Sequence, residues 1–212
     1  MDMRQVRETL CGCTAPSGVE GPAAEAAKAL LAPLVDEVSI DRMGNLIGVR
    51  RCGIEGAKTI LLDAHLDEIG LIVTGAEEGF LRFRTIGGVD PRMLPGREVT
   101  ILTTPPIVGI VASPTPQQSD MDKAVPIQDL VIDAGLTQEQ AEGLVGTPMV
   151  YRGACFPLGE DQVCGKAMDD RSCFAILLRC LELLKDKELD VDVYVMGSTR
   201  EEVSGVGATV GT

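Results

Sequence analysis

A pattern of helices and strands runs to about residue 68, breaks into short apolar segments punctuated by Gly and Pro, and resumes after about 162. In the first stretch Met3, Val6, Leu10 and Cys13 recur at helical spacing. Pro22 opens an Ala-rich helix that Pro33 should kink or end. Val38–Ile40 and Leu46–Val49 read as strands around a Met43-Gly44-Asn45 turn. Thr59-Ile-Leu-Leu62 is a continuous apolar run, the pattern of a strand buried on both faces. The middle stretch offers Leu71–Val73, Phe80–Phe83, Glu98–Leu102, Ile107–Val111 and Met149–Tyr151 as strands. It also holds a polar, Pro-containing loop over 114–126 and a capping-box helix start at Thr137-Gln-Glu-Gln140. After Gly165, the residues Cys173, Ile176, Leu177, Cys180, Leu181 and Leu184 form a one-sided apolar helical stripe, and Asp192–Met196 a core strand. Insertions fall where a host domain's chain ends lie close together. The expectation is an α/β domain made of residues 1–68 and 162–212, interrupted by a β-rich domain over 69–161.

Composition narrows the function. The net charge of −13 and a pI near 4.5 argue against a nucleic-acid or anionic-membrane surface, since phosphate binding needs clustered Lys and Arg. At 45% hydrophobic residues a real core is possible, and 24 Gly with 12 Pro suit a turn-rich fold better than a helical bundle. No run approaches the ~18 apolar residues of a membrane span, and the N-terminal residues lack the apolar core of a signal peptide. Seven cysteines without a Cys-x-x-Cys pair read as reduced thiols of a cytoplasmic protein, with Cys173 and Cys180 buried as small hydrophobes. The chain has one histidine, so no mechanism requiring two can be completed by these residues alone.

Three acidic clusters stand where chemistry gathers in α/β folds, beyond the carboxyl ends of strands or at helix N-termini. His65-Leu-Asp67 follows the Thr59–Leu62 run, Asp169-Asp170-Arg171 begins the long helix, and Glu201-Glu202 follows the Asp192–Met196 strand. One imidazole with several carboxylates suits Zn²⁺ or Co²⁺ in a hydrolytic site. In an extended His-x-Asp the two side chains point the same way, so Asp67 can accept the second ring N–H of His65 and fix its orientation. Each cluster alone has a plainer explanation: a satisfied histidine, helix capping, or a solvated acidic pair. Together they point to a metallohydrolase.

The motifs Asp63-Ala-His65-Leu-Asp67-Glu68-Ile69-Gly70, Gly165-Lys-Ala-Met-Asp169-Asp170-Arg171 and Thr199-Arg-Glu201-Glu202-Val203, with Gly207-Ala208, resemble those of the M42 family of dinuclear-metal aminopeptidases. Ala15-Pro-Ser-Gly18 with Glu20, Asp41-Arg-Met-Gly44-Asn45 and Ile132-Asp-Ala-Gly135 fit as well. The resemblance covers essentially the whole chain. It implies that His65 binds one of two Zn²⁺ or Co²⁺ ions, Asp169 bridges both, and Glu202 binds the second. It further implies that Asp67 orients His65 and Glu201 is the general base in hydrolysing N-terminal residues from short peptides. The fold it implies is a mixed, mainly parallel sheet flanked by helices, with an inserted β-barrel-like dimerisation domain. Homo-oligomers built from dimers, up to dodecamers, are implied too.

Two departures qualify this. Ser204 stands where the family has Gly, and the family's further Asp ligand and second His ligand have no counterpart here. The expectation is a C-terminally shortened member that binds metal weakly and hydrolyses little. Three other readings compete: a glycoside hydrolase acting through two carboxylates, a non-catalytic assembly protein, and a related deacylase or carboxypeptidase. The absence of Trp and only 3% aromatics count against a sugar-binding cleft.

Overall fold

The structure is a computed structural model that describes residues 1–113 and 123–212, so most of the loop expected over 114–126 lies outside the described residues. The chain forms two compact units, Met1–Glu68 with Gly153–Thr212, and Ile69–Arg152. In the first unit α1 (Met3–Gly12) starts at Asp2, whose carboxylate accepts the amides of Arg4 at 2.9 Å and Gln5 at 3.3 Å. Helix α2 (Gly21–Leu31) has Pro22 in its first turn, where the lost N–H has no intrahelical partner anyway. It runs out at Pro33 into one 3₁₀ turn. Strands β1 (Glu37–Ile40), β2 (Leu46–Arg50) and β3 (Lys58–His65) follow.

The second unit contains β4 (Gly70–Glu77), β5 (Phe80–Ile86), β6 (Glu98–Ile101), β7 (Ile107–Ala112), β8 (Val131–Asp133), the capping-box helix α3 (Gln138–Glu142) and β9 (Pro148–Tyr151). The strands close into a barrel in the order β4-β5-β8-β7-β6-β9. Alternate residues such as Leu71 and Val73, Leu81 and Phe83, and Val99 and Ile101 turn inward to one buried cluster. Closure leaves no free edge among these strands. Gly79 makes the β4–β5 turn at φ +86°, where any Cβ would strike the Leu136 carbonyl oxygen.

The chain re-enters the first unit at Gly153, ahead of the boundary expected after 161. The hairpin of β10 (Phe156–Leu158) and β11 (Gln162–Cys164) belongs there because Arg4 of α1 donates to the Glu160 carbonyl at 3.2 Å. Helix α4 (Met168–Leu184), β12 (Val191–Ser198) and α5 (Val206–Gly211) complete the chain. The sheet order is β1-β2-β12-β3, with β12 antiparallel to β2 and parallel to β3. The sheet is thus mixed, and its one parallel pairing among the described residues is β3 with β12, where a mainly parallel sheet was expected. Helices α1, α2 and α4 bury Leu10, Leu31, Phe174 and Leu178 against Leu46, Ala64 and Val195, at about 1.5–3 kcal/mol for each large side chain.

Two expectations about burial are corrected. The run Thr59–Leu62 is not buried on both faces: β3 is the outer strand of this sheet, and Ile60 and Leu61 are 46% and 37% exposed. On α4 the face against the core is Phe174, Ala175, Leu178 and Leu181, while Cys173 and Ile176 are exposed and Cys180 is half-buried. Leu181 is buried and Leu177 packs against the core as expected, but apolar residues occupy both sides of this helix, so periodicity alone did not separate the two faces. Among the described residues, no helix is long and apolar enough to cross a membrane.

Candidate metal centre

The parallel pairing of β3 and β12 places His65 directly beside Ser198, and Leu66 N–H donates to the Ser198 carbonyl at 2.9 Å. The loops carrying Asp67 and Glu201-Glu202 therefore leave the sheet side by side. Asp169 joins them from the start of α4, after Ala167 in the left-handed region at φ 54°; the Asp169–Asp170 peptide is cis.

All three acidic clusters converge on one imidazole. His65 Nε2 lies 3.3 Å from Asp169 Oδ1 and 3.6 Å from Glu201 Oε2. Its other nitrogen, Nδ1, lies 3.2 Å from the Asp67 carbonyl oxygen and 3.5 Å from Asp67 Oδ1. Ligand atoms of His65, Glu201 and Glu202 all fall within 4.8 Å of one another. The imidazole is buried, whereas the Asp169 and Glu201 side chains are 90% and 54% exposed. Nε2 thus faces an open acidic rim while Nδ1 is held from behind.

The electrostatics follow from this arrangement. Burial alone would lower the His65 pKa, but the hydrogen bond and charge of Asp67, with Glu201 and Glu202, outweigh it and raise the value to about 9. Burial works against ionised Asp67 as well. The hydrogen bonds from His65 and Ser17 and the amides of Glu201 and Glu202 overcome it and hold the carboxyl below its usual range. Burial pushes the Glu202 carboxyl up, and its acidic neighbours add to the effect. Such an excess of negative charge around one nitrogen is a donor set suited to a divalent cation.

Behind the rim lie partners that the sequence reading gave no role. Ser17 Oγ donates to Asp67 Oδ2 at 2.5 Å, and the amides of Glu201 and Glu202 donate to the same carboxylate at 3.1 and 3.2 Å. Asn45 accepts the Thr199 amide at 3.0 Å and donates to the Gly207 carbonyl at 2.9 Å, fixing where β12 ends. Fully buried Arg171 donates to the carbonyls of Leu66, Leu10 and Cys13 at 2.8–3.0 Å, and Glu68 binds Lys166 at 2.6 Å. These contacts tie α4 to the end of β3 and to the segment after α1. The only sequence signal for them is that Ser17, Glu20, Asn45, Glu68, Lys166 and Arg171 sit in or beside the quoted motifs.

Comparison with known proteins is consistent across sequence and structure. The family described as M42 glutamyl aminopeptidase matches residues 44–212. The chain is 32% identical to the putative aminopeptidase FrvX of Escherichia coli K12, over 96% of this chain and 59% of that protein. Aminopeptidase APDkam598 from the archaeon Desulfurococcus kamchatkensis superposes with a TM-score of 0.89 at 33% identity, over 99% of this chain and 59% of that one. The TET1 peptidase of Pyrococcus horikoshii, which can assemble into a tetrahedron or a large octahedral shell, gives a TM-score of 0.84 at 31% identity, over 99% and 64%. The chain spans about three fifths of the length of the curated relatives it matches.

Proposed function

Because this chain belongs to the M42 glutamyl aminopeptidase family, we propose that it carries the larger part of a metal-dependent aminopeptidase site that removes N-terminal residues from short peptides. The observation that carries the reading is the convergence of Asp169 and Glu201 on Nε2 of His65, with Glu202 grouped beside His65 and Glu201. In this reading the imidazole and carboxylates suit divalent ions, Zn²⁺ or Co²⁺, of which His65 would help hold one, Glu202 a second, and Asp169 both. Bound there, such ions supply Lewis-acid polarisation of the scissile carbonyl and acidify water.

The chain's own residues have distinct tasks in this reading. Asp67, buried and held by three other donors, keeps Nδ1 of His65 occupied and so aims Nε2 at the site. Glu201, half-exposed at the rim, is the general base: it takes a proton from water and returns it to the leaving amine. One imidazole and these carboxylates leave each ion below the three protein ligands of a catalytic zinc site. The 212 residues alone should therefore bind metal weakly and turn over slowly. Assembly into homo-oligomers through the barrel and residence in the cytoplasm belong to the same reading.

Cobalt titration followed by visible spectroscopy, with hydrolysis of an aminoacyl anilide, tests this. Binding lost in His65→Ala and Glu202→Gln, and any turnover lost in EDTA and restored by Co²⁺ or Zn²⁺, is the expected result. Tight binding of two ions with normal peptidase turnover would overturn the incompleteness. Chelator-insensitive release of reducing sugar from a glucan would favour a glycoside hydrolase instead.

A further inference from the structure

We propose that Glu20 is a positioning residue of this site, holding the amide of Arg200 so that Glu201 and Glu202 leave β12 with their amides on Asp67 and their side chains beside His65. The proposal rests on the metal-site reading above but adds a residue to which that reading gives no part. Glu20 is 6% exposed, and its Oε1 is met by two backbone N–H groups, Gly18 at 2.7 Å and Arg200 at 3.1 Å. A carboxylate taken out of water is costly unless it is well partnered. Here it links two segments 180 residues apart in sequence.

Position, not capping, explains the contact. Glu20 begins α2, and its carbonyl accepts the amides of Ala23 and Ala24 at 3.0 Å. Its side chain makes no capping bond and turns instead to Arg200. Arg200 has φ 58°, a left-handed conformation that non-glycine residues seldom adopt without support. Three successive amides follow one another around this turn: Arg200 donates to Glu20, then Glu201 and Glu202 donate to the two oxygens of Asp67. The segment before Glu20 grips the other loop. Ser17 Oγ donates to Asp67, while Glu68 and Ala15 bond to each other twice, Glu68 N–H to the Ala15 carbonyl at 3.1 Å and Ala15 N–H to the Glu68 side-chain Oε1 at 3.0 Å. The stretch between α1 and α2 thus bonds to both loops, holding His65-Leu-Asp67 and Glu201-Glu202 together beyond the β3–β12 pairing.

The test compares Glu20→Gln, Glu20→Asp and Glu20→Ala in the whole chain. Gln keeps an acceptor oxygen at the same reach, Asp keeps the charge but falls short of Arg200, and Ala keeps neither. Cobalt affinity should stay within about threefold of the parent for Gln and fall about tenfold or more for Asp and Ala, the usual loss when a partner behind a metal ligand is removed. In the metal-free chain, hydrogen exchange at the Glu201 and Glu202 amides should accelerate in Asp and Ala while the barrel and α4 amides keep their protection. Should Ala fail to fold, the contrast between Asp and Gln still decides. Equal cobalt affinity across the series with unchanged exchange at Glu201 and Glu202 would overturn the proposal, as would Gln behaving like Asp. A parent chain that binds no cobalt would sink the metal-site reading alone, and the exchange data would still judge Glu20.

Discussion

Raising the pH should tighten divalent-ion binding about tenfold per unit across the neutral range, because the ion must displace a proton from His65. With its pKa held at about 9 by Asp67 and the neighbouring glutamates against the pull of burial, the imidazole is almost wholly protonated at neutral pH in the metal-free chain. Ligation requires the neutral ring. At about pH 7 that competition weakens apparent affinity about a hundredfold, or about 2.7 kcal/mol. The assay is calorimetric titration of Co²⁺ between about pH 6 and 8 in two buffers of different ionisation enthalpy, which counts about one proton released per chain as the ion at His65 binds. Asp67→Asn removes the strongest upward influence on the ring, so release at neutral pH should fall below about half a proton. Affinity flat with pH and no proton release would refute the reasoning, and so would unchanged release in Asp67→Asn. The same shift sets metal-free stability. The folded pKa of about 9 lies above the ordinary 6.5, so about 3 kcal/mol of stabilisation is fully present below about pH 6.5 and is lost as pH rises through about 9. The share of the Asp67 lowering that comes from His65 is the same interaction seen from its partner and is not counted again; the hydrogen bonds from Ser17 and the Glu201 and Glu202 amides are separate from it.

Arg171→Met leaves the buried carbonyls of Leu66, Leu10 and Cys13 without their shared donor, while Glu68 keeps Lys166, so urea denaturation should show a loss of about 1–3 kcal/mol. An unchanged midpoint would show that water reaches those groups. Gly207→Ala drives a Cβ into the Thr199 carbonyl and to 2.7 Å from Asn45 Oδ1; thermal melts should register about 1–3 kcal/mol lost. Cys173 is exposed and Cys11 fully buried, with its thiol pushed up to about 11 by burial, so brief native alkylation read by peptide mass mapping should modify Cys173 and spare Cys11. Equal labelling of both would contradict the packing of α1.

Local chemistry made part of this structure readable in advance. Pro22 and Pro33 bracket α2, Thr137 starts α3 through its capping box, and alternation marks the barrel strands. His65, Asp67, Asp169, Glu201 and Glu202 were legible as candidates because each stands at or just past a strand's end or at a helix start. What escaped depends on contacts between distant segments. The run Thr59–Leu62 records how apolar β3 is, not which strands lie beside it. On α4, Cys173 and Ile176 are as apolar as Ala175, so the stripe was ambiguous until the sheet chose a face. Ser17, Glu20 and Arg171 are ordinary polar residues whose partners lie 50, 180 and 105 positions away.

The place of β12 in the sheet carries a consequence for the order of events during synthesis. Strands β2 and β3 do not pair with each other; the gap between them is filled by a strand that emerges more than a hundred residues later. Throughout that interval the nascent chain holds two unjoined apolar ribbons, while the barrel, whose strands all emerge before β12, can already close. His65 waits for Ser198 to be made before it has a neighbour across the sheet. The barrel should therefore acquire protease resistance on the ribosome first. The sheet and its acidic rim should follow in one step, and chaperones that shield exposed β-edges should matter most in the time between.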